Sequence, residues 1–165
     1  MHRRLLNPLL VVALLVGAAG IGPDVPRQSD SRPREDAHGG AVRTASVYAL
    51  VARNRTAGNR LTAWRCEIAL ASPAYRRELR RARPSRADLI TLRLDHASAS
   101  AQVVGARPDP SRTLPRARVV VTLRERIVTR DEQLTSETVN EVLLNHHRGI
   151  WLVTRWTLSA DGRAR

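Results

Sequence analysis

The chain has no lysine, no phenylalanine, one cysteine, two tyrosines and three tryptophans among its 165 residues. Each shortage excludes something. A lone cysteine, Cys66, rules out an intrachain disulfide framework and a cysteine-based zinc site. Aromatic residues make up only 3% of the chain, which leaves little surface on which nucleic-acid bases could stack. No GxxxxGK(S/T) loop and no GxGxxG turn is present, so nucleotide chemistry lacks its usual phosphate cradle. At 42% hydrophobic residues the chain is too apolar to be wholly disordered. Its length allows one domain plus accessory segments.

Because lysine is missing, all 28 basic residues are arginines, against 15 acidic residues, for a net charge of +13. Ala, Arg and Val in place of Lys, Ile and Phe is the composition of a high-GC bacterial genome. The charge is not evenly spread. Residues 43–86 hold 11 arginines and 2 acidic residues, a net +9, whereas residues 87–165 hold 12 and 9, a net +3. The densest part is Arg76, Arg77, Arg80, Arg81 and Arg83, with Arg86 just beyond Pro84. At helical spacing these arginines form two adjoining rows opposite a Tyr75–Leu79–Ala82 stripe. Such a face attracts polyanions, an anionic membrane surface or envelope polymer before nucleic acid.

The amino terminus sets a compartment. Arg3 and Arg4 precede an apolar run from Leu5 to Gly22 that ends in small residues. This is the form of a cleaved secretory signal or of an uncleaved anchor. As a helix the run would span about 27 Å, at roughly 1.5 Å per residue. Either reading places the remainder outside the cytoplasm. Residues 23–43 are poor in apolar side chains and rich in Pro, Gly, Ser and mixed charge, which predicts a solvated, disordered linker. A domain is expected over residues 44–160, followed by a short tail at 161–165.

Within that domain three helices come first. Val47, Leu50 and Val51 recur at helical spacing, and Gly58-Asn59 ends the element. Leu61, Trp64 and Ile68 mark a second helix. Ser72-Pro73 reads as an N-cap and first helical position for a third, which Pro84 closes. The period then changes from about 3.6 to 2. Ile90, Leu92 and Leu94 predict a strand, extended by Ala99, Ala101 and Val103. Gly105 to Pro115 predicts a loop. Val119, Val121 and Leu123 face inward on the next strand, which reaches Val128. Thr138 to Leu144 and Ile150 to Leu158 form the last pair, joined by a hairpin at Asn145–Gly149 with Gly149 suited to positive φ. Helices followed by an antiparallel meander make an α+β domain with a helical layer on one sheet face.

This order, with Glu137–Leu144, a tight turn and Gly149-Ile-Trp151-Leu-Val153, resembles the NTF2-like superfamily of α+β cones. The Trp64 helix and Ser72-Pro-Ala-Tyr75 are similar to the helical half of small actinobacterial envelope proteins of that type. These are conjugal-transfer (TcpC/VirB8-like) proteins and Mce-associated membrane proteins. The resemblance implies a non-catalytic exported or anchored scaffold subunit of a cell-envelope assembly, of the type IV secretion kind. Its partners would be other envelope subunits or copies of itself, and no cofactor is implied. An isomerase-like or small-molecule-binding cone is the alternative from another class.

Few residues suit catalysis. Tyr48 and Tyr75 could present hydroxyls to the cone, although a core tyrosine with its hydroxyl at the rim is the simpler reading. Asp88 and Asp95 bracket the expected strand and would act as a base only if turned into a pocket. His146 and His147 are adjacent in a turn, point apart and lack a third ligand, so no metal site is expected. His96 beside Asp95 reads the same way. Cys66, next to Trp64 and Ile68, is expected to be a buried, inert thiol. Trp151 and Trp156 lie an odd number of residues apart, so a regular strand would put them on opposite faces and leave one for a partner.

Overall fold

The computed structural model describes residues 32–112 and 114–158. The expected signal or anchor at 1–22, the start of the linker and the tail at 161–165 lie outside them. Four helices, α1 (Arg32–Arg53), α2 (Arg60–Leu70), α3 (Pro73–Arg81) and α4 (Arg86–Leu94), precede most of the sheet. The strands are β1 (Arg55–Thr56), β2 (Ser98–Pro108), β3 (Arg116–Val128), β4 (Gln133–His147) and β5 (Ile150–Leu158). They lie in sequence order, each antiparallel to its neighbour. The fold is α+β, with α1 to α3 against an antiparallel meander and the residue order as predicted.

The α1 helix packs on the sheet through a stripe of small residues. Ala41, Ala45, Tyr48, Ala49 and Ala52 are fully buried and fall on one helical face. Alanine lets the helix backbone approach the strands closely, and Tyr48 supplies the one large side chain. Facing it are Val119, Val121 and Leu123 of β3, Val142 and Leu144 of β4, and Val153 of β5. The inward parity expected for Val119, Val121 and Leu123 is observed. Fully burying each such side chain stabilises by about 1.5–3 kcal/mol.

Five expectations need correction. Residues 32–43 are helix rather than linker, and Ala41 at the end of that stretch is in the core. Gly40 and Ala41, which read as linker composition, lie on the close-packing face of α1; Gly40 lies where a Cβ would be 3.1 Å from the Trp151 ring. The buried face of α1 is accordingly the alanine stripe, and Val47 is exposed.

Residues 86–94 are helix α4 rather than a strand. Ser85 and Asp88 form a capping box, with Asp88 N–H donating to Ser85 Oγ at 3.1 Å and Ser85 N–H to Asp88 Oδ2 at 2.7 Å. At the other end His96 has φ 49°, His96 N–H donates to the Arg93 carbonyl and Ala97 N–H to the Leu92 carbonyl. That is a Schellman stop. Local capping at both ends overrides the period-2 reading of Ile90, Leu92 and Leu94, of which none is buried.

The region 105–115 is not all loop: β2 continues to Pro108 past a bulge at Val104. Cys66 is exposed, because α2 buries the neighbouring Ala63 and Glu67 instead. The tryptophan parity also fails. Leu143 pairs with Arg155 and Leu144 with Val153, so Thr154 is an extra residue in β5. The bulge resets the alternation, and Trp151 and Trp156 both face the helical layer. Trp151 is 8% exposed, and Trp156 packs against the same core.

The β4–β5 hairpin closes through Arg148 and Gly149, with φ of 49° and 83° between the paired His147 and Ile150. Two positive φ values are what a type I′ turn needs. The outer edge at β5 is partly covered: Ser72 N–H donates to the Val153 carbonyl at 2.8 Å, beside a parallel bridge from Ala71 to Val153.

Candidate functional site

The concave face of the sheet changes character along its length. Ala117, Val119, Val121 and Leu123 continue on β3 into Glu125, which is 3% exposed. On β4, Leu144 and Val142 continue into Asn140, fully buried. Arg53, at the end of α1, reaches Glu125 with its Nε at 2.8 Å. Thr138 donates its hydroxyl to the same carboxylate oxygen, and Asn140 Nδ2 donates to Thr138 Oγ1 at 3.2 Å. The result is a buried row running Arg53, Glu125, Thr138, Asn140. A second buried carboxylate, Glu67 of α2, is paired with Arg60 at 3.0 Å.

Aromatic rings pack beside the Arg53–Glu125 pair. The Tyr48 ring lies edge-on to Trp156 at 6.2 Å and tilted on Tyr75 at 6.3 Å. The Arg53 guanidinium sits 5.7 Å from the Trp156 ring centre. The Tyr48 hydroxyl donates to the Tyr75 hydroxyl at 3.3 Å. Burial, then the Tyr75 hydrogen bond, pushes the Tyr48 hydroxyl well above the ordinary tyrosine range; burial also raises Tyr75. Trp156 Nε1 and Asn140 Oδ1 are buried without a protein partner among the described residues.

This arrangement braces the fold rather than equipping it for proton transfer. Glu125 is held by a cation and a hydroxyl, Glu67 by a cation. Tyr48 and Tyr75 meet as the sequence allows, but no carboxylate joins them by a hydrogen bond. Asp88 is exposed in its capping box, where the Ser85 backbone N–H holds its carboxyl below the usual range. Asp95 is the exposed C-cap of α4. His146 rests on the Trp151 ring at 5.0 Å, and His147 is exposed.

The arginine cluster separates into two groups. Arg76 caps the end of α2, donating from Nε to the Ala71 carbonyl at 2.7 Å and from Nη2 to the Ala69 carbonyl at 3.2 Å. Arg83 lies 5.7 Å from the Trp64 ring, whose Nε1 donates to the Leu79 carbonyl at 2.8 Å. These two fasten α3 to α2. Arg77, Arg80, Arg81 and Arg86 are exposed, and none is in a salt bridge among the described residues. Of the six arginines in the cluster, five are exposed, Arg83 among them, and Arg76 is half-buried. Trp151 and Trp156, expected to offer a partner contact, are turned inward.

Sequence reasoning missed Arg53, Glu67, Glu125 and Asn140. The signal for two of them was present: Glu125 has the parity of Val121 and Leu123, and Asn140 that of Val142 and Leu144. A polar residue on an apolar parity is either an error of register or a buried, paired group.

At the far end of β3–β5 a groove of about 370 Å³ is lined by Arg112, Arg116, Leu143, Asn145 and Thr154 among others. The β5 bulge places Thr154 in it, with the Thr154 hydroxyl donating to the Leu143 carbonyl at 3.1 Å.

No family model matches the chain, and no curated protein matches it in sequence. Solved structures do. The VirB8 protein of Agrobacterium tumefaciens superposes with a TM-score of 0.61 at 11% identity, over 86% of this chain and 100% of that one. The periplasmic domain of DotI gives 0.58 at 12% identity, over 82% and 99%. CagV, a VirB8 homolog of the type IV secretion system from Helicobacter pylori strain 26695, gives 0.56 at 8%, over 73% and 97%. The fold is of the VirB8 type. An NTF2-like protein involved in plasmid conjugation also superposes, at 0.52 and 11% identity, over 78% of this chain and 51% of its own. Among the described residues no helix is long and apolar enough to cross a membrane.

Proposed function

We propose that the chain is a non-catalytic, extracytoplasmic subunit of a type IV secretion-like envelope assembly. The observation that carries this reading is the superposition of its domain on essentially the whole of the VirB8, DotI and CagV domains. The apolar run at 5–22 supports export or anchoring. A filled cone supports a scaffold role: Tyr48, Leu123, Val119, Val121 and Val142 are fully buried, and the interior carboxylates are engaged in pairs. The mechanism is docking. The buried Arg53–Glu125 pair ties α1 to β3, the Arg60–Glu67 pair braces α2 internally, and the exposed arginines of α3 and α4 face an anionic surface. No observation favours the Mce-associated or the isomerase-like alternative.

The test is purification of the full chain from detergent-solubilised envelopes of its native host. The reading expects it to co-fractionate in a large complex with the channel subunits and ATPase of a conjugation or secretion system. Recovery as a free species, or with a lipid-uptake complex, would overturn it.

A further inference from the structure

Helix α4 is lightly held by the rest of the domain. None of its residues is fully buried, only Leu89 and Leu92 are half-buried, and two hydrogen bonds tie its carboxyl end to the body, from Arg130 Nη2 to the Leu94 carbonyl at 2.9 Å and from Arg130 N–H to the Asp95 carbonyl at 2.8 Å. Ile90 is 47% exposed and Leu94 62%, four residues apart on one helical face. Arg86 and Arg93 lie on the same side, at i−4 and i+3 from Ile90. Four residues upstream, α3 presents Arg77, Arg80 and Arg81 to solvent. A helix that is capped at both ends, exposes two large aliphatic side chains and is bordered by unpaired arginines has the composition of an interfacial membrane helix. A protein partner buried on this face of α4 would have to neutralise or desolvate the guanidinium groups of Arg86 and Arg93, with three more exposed arginines close by in sequence on α3. A bilayer with anionic headgroups satisfies both halves at once, phosphates for the arginines and acyl chains for Ile90 and Leu94.

We propose that α4 lies in the surface of an anionic membrane, inserting Ile90 and Leu94 while Arg77, Arg80, Arg81, Arg86 and Arg93 hold lipid phosphates. This rests on the anionic-surface reading of α3 and adds the inserting element. It gives the domain a second membrane contact, far in sequence from the apolar run at the amino terminus, and so fixes one face of the domain toward the bilayer.

The single native cysteine makes the test simple. In a Cys66→Ser background, the full chain carries an environment-sensitive fluorophore at Leu94→Cys or, separately, at Ala82→Cys, and is reconstituted in vesicles of zwitterionic lipid with or without about 30% anionic lipid, which gives the surface a negative potential. Insertion predicts a blue shift at position 94, with quenching by lipids brominated on the acyl chain, only when anionic lipid is present. The triple variant Arg77→Gln/Arg80→Gln/Arg81→Gln reduces the anionic-lipid response about a hundredfold, at about fivefold per arginine. Headgroup quenching at position 82 without acyl-chain quenching at 94 would overturn insertion and leave the anionic-surface reading standing. Quenching that is equal in both lipid mixtures, or absent at both positions, would overturn both. A blue shift at 94 in detergent that grows with protein concentration would assign the face to a second copy and overturn the proposal. Both labelled positions are exposed, so loss of fold, checked by the circular dichroism of each variant, is not the expected cause of a negative result.

Discussion

Removing either member of the Arg53–Glu125 pair should destabilise the domain, and unequally. The Glu125 side chain is 4% exposed and that of Arg53 is 21%. Stripping one partner from a buried pair costs about 3–5 kcal/mol when the remaining charge has no water. Arg53→Met leaves the more buried charge, with Thr138 as its only side-chain donor among the described residues, so a cost of about 3 kcal/mol is expected. Glu125→Gln keeps an acceptor for both Thr138 and Arg53 and strands only the more exposed charge; replacing charge-assisted hydrogen bonds by neutral ones costs about 1–2 kcal/mol. The double variant Arg53→Met/Glu125→Leu leaves neither charge of this pair and should recover to within about 1 kcal/mol of the native chain, the residual being the orphaned Thr138 hydroxyl. Urea unfolding followed by tryptophan emission suits the measurement, because Trp156 lies under Arg53. The reasoning is refuted if both single variants cost less than about 0.5 kcal/mol, the range of exposed pairs, or if the double variant is the least stable of the three.

Other predictions concern separate parts of the fold. Gly40→Val forces branched methyl groups onto the Trp151 ring, already 3.1 Å from an ideal Cβ, and should cost about 1–3 kcal/mol despite better helix propensity; thermal denaturation reads it. Ser72→Ala removes the acceptor for Tyr75 N–H at the start of α3 and should cost about 1 kcal/mol, with faster amide exchange confined to the first turn of α3. Both tyrosines titrate above their ordinary value of 10.0 in the folded state. The native state therefore retains protons that the unfolded chain loses above that pH. Stability should be unaffected by these groups below about pH 10 and should fall as pH rises beyond it. Absorbance of phenolate at pH 10.5 in the still-folded protein would contradict this.

Much of the fold is written in local signals that the chain states clearly. Ser72-Pro73 starts α3 where capping chemistry requires, Gly149 marks the hairpin, and the alternation of Val119, Val121 and Leu123 orients β3. What failed was a competition between signals. Ile90, Leu92 and Leu94 fit period 2, but Leu89 and the Ser85/Asp88 capping box fit a helix, and local hydrogen bonds decided. The Ala- and Gly-containing stretch before residue 44 lacks large apolar side chains because it must approach the sheet, so low hydrophobicity there meant close packing. Trp151 and Trp156 share a face, against simple alternation, because a one-residue bulge at Thr154 is invisible to parity counting. The arginine cluster was legible as a charge density; the assignment of Arg76 and Arg83 to structural work required knowing which carbonyls and which indole lie beside them. Glu125 and Asn140 show the remaining gap: parity could have flagged them, but only the end of α1 reveals Arg53 as the partner that makes burial tolerable.

The central claim is that this domain is a working part of an envelope transfer machine. It is tested most directly by deleting the chain in its host and measuring the frequency of conjugal or effector transfer, with the intact chain and the Arg77/Arg80/Arg81→Gln variant supplied in trans. The account predicts that transfer falls to background on deletion, returns with the intact chain and returns only partly with the variant. Transfer at the undisturbed frequency in the deletion strain would contradict it.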